Sequence, residues 1–153
     1  MASLIERLVP GSCKVPEILT AKIRLFSELG KVLPNDCIMA TNSSSSTSSE
    51  MAAQVSNRAR LLSTHYYMPH APIMPNPSTD LAVVALLLHE LPKHGLSPYH
   101  VRTECVGLIF NCIWAAIKRE ALLVVAEPTE VDVLMHKVFG GIIGCVRPDR
   151  WVG

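Results

Sequence analysis

The chain has 153 residues, 49% of them hydrophobic and 18% charged, and a formal net charge of +1. Its lysines and arginines are spread along the chain, which argues against a nucleic-acid partner, because phosphate binding needs concentrated positive charge. The length suits one packed domain, and so apolar a composition points to a homodimer, since a lone domain of this size hides less apolar surface.

The N-terminal MASLIERLVPGS carries an acid and a proline where a signal peptide needs an unbroken apolar run, so residence in the cytoplasm is expected. Residues 17–33, EILTAKIRLFSELGKVL, predict a surface helix. Ile18, Leu25, Phe26, Leu29, Val32 and Leu33 fall on an apolar stripe at helical period, with Lys22, Arg24 and Glu28 turned to water. Pro34-Asn35-Asp36 stops it, and CIMAT at 37–41 reads as a short buried parallel strand. TNSSSSTSSE at 41–50 has the composition of a linker but follows that strand directly. Thr47 or Ser48 is placed to cap a helix ending near Val55, with Glu50 at capping-box distance from Thr47. RLLSTHYY at 60–67 is then a second strand, bringing His65 to the edge that holds the serines, the edge where parallel α/β sheets bind ligands.

Residues 77–94 predict a helix capped by Ser78 or Thr79, with Pro92 in its last turn and Gly95 as its stop. Its apolar run LAVVALLL, at 81–88, is far shorter than the roughly 20 residues that cross a bilayer, so no membrane span is expected. SPYHVRT at 97–103 is extended. Residues 107–126 form a helix apolar almost all round, expected to be buried inside the domain or between subunits. A last helix spans 128–141 from Pro128, and the tail GCVRPDRWVG follows it. The five cysteines (13, 37, 105, 112 and 145) form no CxxC pair and read as reduced, buried small hydrophobes. The pairs His65/His70 and His89/His94 stand at i, i+5, which does not put two rings on one helix face, so no metal site is expected.

The order of motifs resembles the 3-hydroxyacyl-CoA dehydrogenase family, most closely its fungal members with HYYMP. The motifs are VPEILTAKIRLFSELGKVLPNDCIMATNSSS, THYYMP, GLIFNCIWAAIKREALLVVAE and VDVLMHKVFGG, and the likeness covers roughly residues 13–141. The resemblance implies an α/β fold: a remnant of a Rossmann-like parallel sheet over 1–103, then a helical dimerisation region over 104–153, packed as one mostly helical domain. It puts His65 at the catalytic histidine, Ser44 at the serine that bonds the substrate's hydroxyl or keto oxygen, Asn111 at the asparagine opposite, and Glu17 at the acid lining the nicotinamide side. Asn42, Tyr67, Met68, Phe110 and Trp114 are the expected substrate contacts. Cys112 stands where the family has an arginine.

Two departures shape the functional expectation. No GxGxxG occurs in the 153 residues, so no cofactor is expected to bind in the family's manner. After HYYMP the family places a glutamate that orients the histidine, and HAPIMPNPSTD stands there instead. The expected function is a non-redox small-molecule catalyst of isomerase or cyclase type, suited to fungal specialised metabolism. A catalytically inert or ligand-binding relative, and half of a split NAD-dependent dehydrogenase, are the alternatives.

Overall fold

A computed structural model of the chain describes residues 16–124 and 128–139. The chain divides into two compact units, Met1–Ile109 and Phe110–Gly153. The cysteines at 13 and 145, Gly140 and the tail expected after it lie outside the described residues.

The first unit is a four-stranded sheet with helices on both faces. Its elements are α1 (Leu19–Val32), β1 (Met39–Thr41), α2 (Ser48–Ala52), β2 (Leu61–Thr64), β3 (His70–Pro75), α3 (Leu81–Glu90) and β4 (Ser97–His100). The strand order is β1-β2-β3-β4, parallel between β1 and β2, antiparallel between β2 and β3, and parallel again between β3 and β4. Short apolar runs build it because neighbouring residues on a strand enter opposite layers. Ile38 and Leu62 pack with Val83, Val84 and Leu87 of α3. Met39 and Leu61 pack with Phe26 of α1 and Met51 and Ala52 of α2. Leu61, Leu62 and Ile73 are wholly buried, each worth about 1.5–3 kcal/mol against exposure.

The strand β3 is absent from the sequence reading, since its prolines argue against a ladder. The register explains how they are tolerated. Val101 N–H and Ser97 N–H donate to Ile73 O and Pro69 O, so odd-numbered residues of β3 face β4 and even-numbered ones face β2. Pro72 faces the β2 side, where pairing begins only at Ile73–Thr64. Pro75 faces the β4 side, where pairing stops at Ile73–His100. Neither missing N–H leaves a gap in the ladder. The one antiparallel pair arises because a two-residue turn joins the strands: Tyr67 and His70 exchange both backbone hydrogen bonds at 2.8 and 2.7 Å across a cis Met68–Pro69 peptide.

Other boundaries shift for local reasons. The cap of α3 is Asp80, whose carboxylate accepts from Ala82 N–H at 2.9 Å, rather than Ser78 or Thr79. Thr79 turns inward instead and donates to Leu61 O at 2.6 Å. Its helix ends in the 3₁₀ turn Leu91–His94, closed by Gly95 in the left-handed conformation at φ +77°. On α1 the stripe is narrower than its period suggests: Ile18 and Val32 are exposed, and Lys22, expected in water, is buried.

The second unit contains α4 (Phe110–Val124) and α5 (Pro128–Phe139). No described residue of α4 is buried within the single chain, where Ile113 and Leu123 are exposed. Cys112 is exposed as well, unlike the buried Cys37. No described helix is long and apolar enough to cross a membrane.

Candidate active site

Parallel pairing of β1 and β2, with Thr41 opposite Ser63, makes both strands end at one edge of the sheet. The chain leaves β1 into the serine run and leaves β2 into His65, so backbone register alone brings these two segments together.

The serine run is an ordered loop in which most hydroxyls have a hydrogen-bond partner. Ser43, buried, donates to Glu17, and Ser45 donates to the same carboxylate at 2.6 Å. Ser43 Oγ also accepts from Ser46 N–H at 3.1 Å. Thr47 caps α2, and Glu50 accepts from Thr47 N–H at 2.6 Å, completing the expected capping box. Ser48 Oγ and Ser49 N–H donate to Glu104 Oε1 at 3.1 and 3.0 Å. Only the hydroxyls of Ser44 and Ser46 have no hydrogen-bond partner among the described residues of the run. Ser44 is fixed by its backbone instead: its carbonyl accepts from Gly107 N–H at 2.8 Å, a donor presented by a left-handed turn with φ +90° at Gly107 and +53° at Leu108.

Glu17 is the hub of the loop's near side. Its carboxylate takes donors from Ser43, Ser45 and Lys22, the last a buried ammonium that forms an ion pair with it. Burial pushes this carboxyl up, but the hydrogen bonds from Lys22, Ser43 and Ser45 and the Lys22 charge outweigh that and hold it down at about 2. Glu17 is therefore ionised and committed to the two serines that flank Ser44.

His65, half-buried, holds its ring by Nδ1 against Asn42 O at 2.6 Å. A carbonyl oxygen only accepts, so Nδ1 carries a proton, and in the neutral ring the lone pair is on Nε2. Tyr67 packs edge-on to the imidazole, with ring centroids 4.7 Å apart. Asn42 Oδ1 accepts from Tyr66 N–H at 3.2 Å, so the expected substrate contact is engaged with the chain beside His65. Met68, 75% exposed, sits at the tip of the turn. Asn111, Phe110 and Trp114 belong to the second unit, where the Phe110 and Trp114 rings stack at 6.1 Å between centroids.

Sequence reasoning missed Lys22, Ser43, Ser45, Glu104 and Gly107. A buried lysine on a helical wheel carries no signal of its own, and Glu104 is 56 residues away from Ser48. No group of three or more histidine, cysteine, aspartate or glutamate side chains among the described residues could hold a metal ion.

An imidazole and an alcohol thus stand at the carboxyl ends of adjoining parallel strands, the edge where Rossmann-type sheets bind ligands. The family profile for the 3-hydroxyacyl-CoA dehydrogenase NAD binding domain matches residues 13–103, and the chain belongs to that family. It is 40% identical over 76 residues to the 3-hydroxyacyl-CoA dehydrogenase-like protein LAM1 of Cochliobolus heterostrophus, covering 47% of this chain and 16% of that one. It is 27% identical over 149 residues to lambda-crystallin of Oryctolagus cuniculus, covering 92% and 47%. The chain thus spans less than half the length of either relative. Among solved structures it resembles M. tuberculosis FadB2, with a TM-score of 0.75 at 22% identity over 85% of this chain and 49% of that one. A diketoreductase gives a TM-score of 0.73 at 24% identity over the same shares. Both share the fold.

The family implies NAD, and the described residues do not fit its diphosphate. That group needs free N–H donors at a glycine turn opening a helix. Gly107 spends its N–H on Ser44, Gly95 closes a helix, and the loop after β1 faces the ionised Glu17.

Proposed function

We propose that this chain catalyses proton transfer on a carbonyl-containing small molecule, an isomerisation or a cyclisation through an enolate, on a hydroxyacyl-CoA dehydrogenase scaffold. What carries the reading is the bond from His65 Nδ1 to Asn42 O, which leaves Nε2 as the exchanging nitrogen. A carbonyl partner supplies no formal charge to stabilise an imidazolium, as a carboxylate would. Such a histidine suits a shuttle that takes a proton and returns it within one turnover. In this reading Nε2 removes a proton from the carbon beside the carbonyl, the Ser44 hydroxyl donates to the enolate oxygen, and the imidazolium then protonates a different carbon. In a cyclisation the enolate carbon instead adds to a second carbonyl carbon of the same molecule, whose π electrons pass to its oxygen, and the imidazolium protonates that alkoxide. Tyr67 and Met68 contribute apolar contacts that fold the substrate. The protein works as a homodimer through the exposed apolar faces of α4 and α5.

The test is hydrogen–deuterium exchange beside the carbonyl of a 3-oxoacyl thioester in D₂O, without added nicotinamide. Exchange should fall at least about 100-fold in His65→Ala, and exchange indifferent to that substitution overturns the reading. A second reading, half of an NAD-dependent dehydrogenase whose nucleotide cradle comes from elsewhere, is favoured by the profile match over residues 13–103. It requires NADH formation from NAD and a 3-hydroxyacyl thioester, with no cofactor-free exchange. Failure of both assays leaves a ligand-binding protein.

A further inference from the structure

The inference concerns the histidine of the proposed chemistry, yet it rests on geometry, and its test reads no turnover. Asn42 is the first residue after β1, and His65 and Tyr66 are the first two after β2. The parallel register that sets Thr41 opposite Ser63 carries Asn42 alongside this pair. Asn42 then makes two contacts with two consecutive residues. Its backbone carbonyl meets His65 Nδ1 at 2.6 Å, and its side-chain oxygen accepts from Tyr66 N–H at 3.2 Å. The second contact fixes the first, because Tyr66 N–H can donate only to an acceptor and so pins the amide by its oxygen. With the residue held at both ends, its carbonyl has little freedom to swing off the ring.

We infer that Asn42 is the positioning residue of His65, setting the imidazole tautomer through its backbone carbonyl and holding that carbonyl in place through its side chain. A free neutral imidazole favours the proton on Nε2. The Asn42 carbonyl reverses that preference, since with the proton on Nε2 two lone pairs would face each other at 2.6 Å. Tyr67 packs edge-on to the ring, with centroids 4.7 Å apart, a second contact that opposes turning of the imidazole. The asparagine side chain thus does for orientation what a carboxylate partner does elsewhere, without adding charge.

The experiment is long-range ¹H–¹⁵N correlation of the histidine rings in the ¹⁵N-labelled full chain at alkaline pH, with His65 assigned by its loss in His65→Gln. His70, whose Nδ1 meets the Tyr99 hydroxyl at 3.1 Å, serves as an internal reference, since a hydroxyl accepts either tautomer. Wild type should show His65 protonated on Nδ1. Asn42→Ala should move the tautomer ratio toward Nε2–H by about fivefold, the effect of one net hydrogen bond, with the His70 signals unmoved. Asn42→Asp, which keeps an acceptor for Tyr66 N–H, should restore the wild-type ratio. A wild-type ring protonated on Nε2 overturns the inference even if Asn42→Ala fails to fold. A folded Asn42→Ala with an unchanged ratio overturns it as well.

Discussion

The two units solve the same problem in opposite ways. In the first, leucines and isoleucines of the strands vanish between helices on both faces, and most polar side chains of the loop after β1 find hydrogen-bond partners. In the second, helices of comparable apolarity leave Ile113, Leu123, Val133, Leu134 and Val138 more than half exposed. The first unit carries its own core, while the second has helical faces that gain stability only by being covered.

Truncation of the core gives the largest contrast. Leu61→Ala and Ile73→Ala, at fully buried positions, should each cost about 2–5 kcal/mol in chemical denaturation. Leu123→Ala and Leu134→Ala, at exposed positions, should stay within about 0.5 kcal/mol if the chain is a monomer. The proposed homodimer breaks the contrast: the helix substitutions would then cost as much as core ones, and the midpoint would rise with protein concentration.

The polar side of the comparison rests on Glu17. Replacing it by alanine removes the shared acceptor of Ser43, Ser45 and Lys22 and strands a buried ammonium. The carboxylate is 48% exposed, so solvent screening keeps the electrostatic share on the order of 1 kcal/mol or less. Its pH dependence has a definite sign. The folded carboxyl titrates at about 2 and the unfolded one at its ordinary 4.5, so the unfolded chain binds the proton first as pH falls. Glu17's contribution is complete above pH 4.5 and is lost between 4.5 and about 2. Difference titrations of stability for wild type and Glu17→Gln should converge across that window, and convergence elsewhere would refute the hub.

How much of this could be read from the sequence follows from the range of each interaction. The β1 and β2 strands, the capping box of Thr47 and Glu50 and the Gly95 stop are local, set by residues a few positions apart, and they stand where the pattern puts them. His65 meeting the serine loop was legible too, because parallel strands joined by a crossover end at one edge. What could not be read depended on partners far along the chain. Lys22 is buried only because Glu17 meets it, and β3 survives its prolines only because each faces a side where its neighbour is unpaired. The Asn42 carbonyl behind His65 carries no side-chain signature at all.

Glu104 gives a smaller effect that separates holding the loop from holding the fold. Glu104→Gln keeps one acceptor oxygen for Ser48 and Ser49 but removes the charge at the start of α2, which should cost about 0.5–1 kcal/mol. Faster amide exchange should be confined to residues 43–52, with α3 unchanged. Exchange rising across the whole first unit would mean that the carboxylate supports the core.

The smallest effect should be favourable. Ser63 Oγ and Thr64 Oγ1 are buried and have no hydrogen-bond partner among the described residues, so each hydroxyl was desolvated on folding without compensation. Thr64→Val keeps the shape and removes the orphan, and should leave stability unchanged or raise it by up to about 1 kcal/mol. Both hydroxyls directly precede His65 in the chain. If Thr64→Val instead destabilises the protein, the hydroxyl has a partner, and an ordered water beneath the histidine is the simplest one. Stabilisation measured together with unchanged His65 ring signals would make Thr64 a plain defect of the core, and the first unit's polar order would then end at the loop.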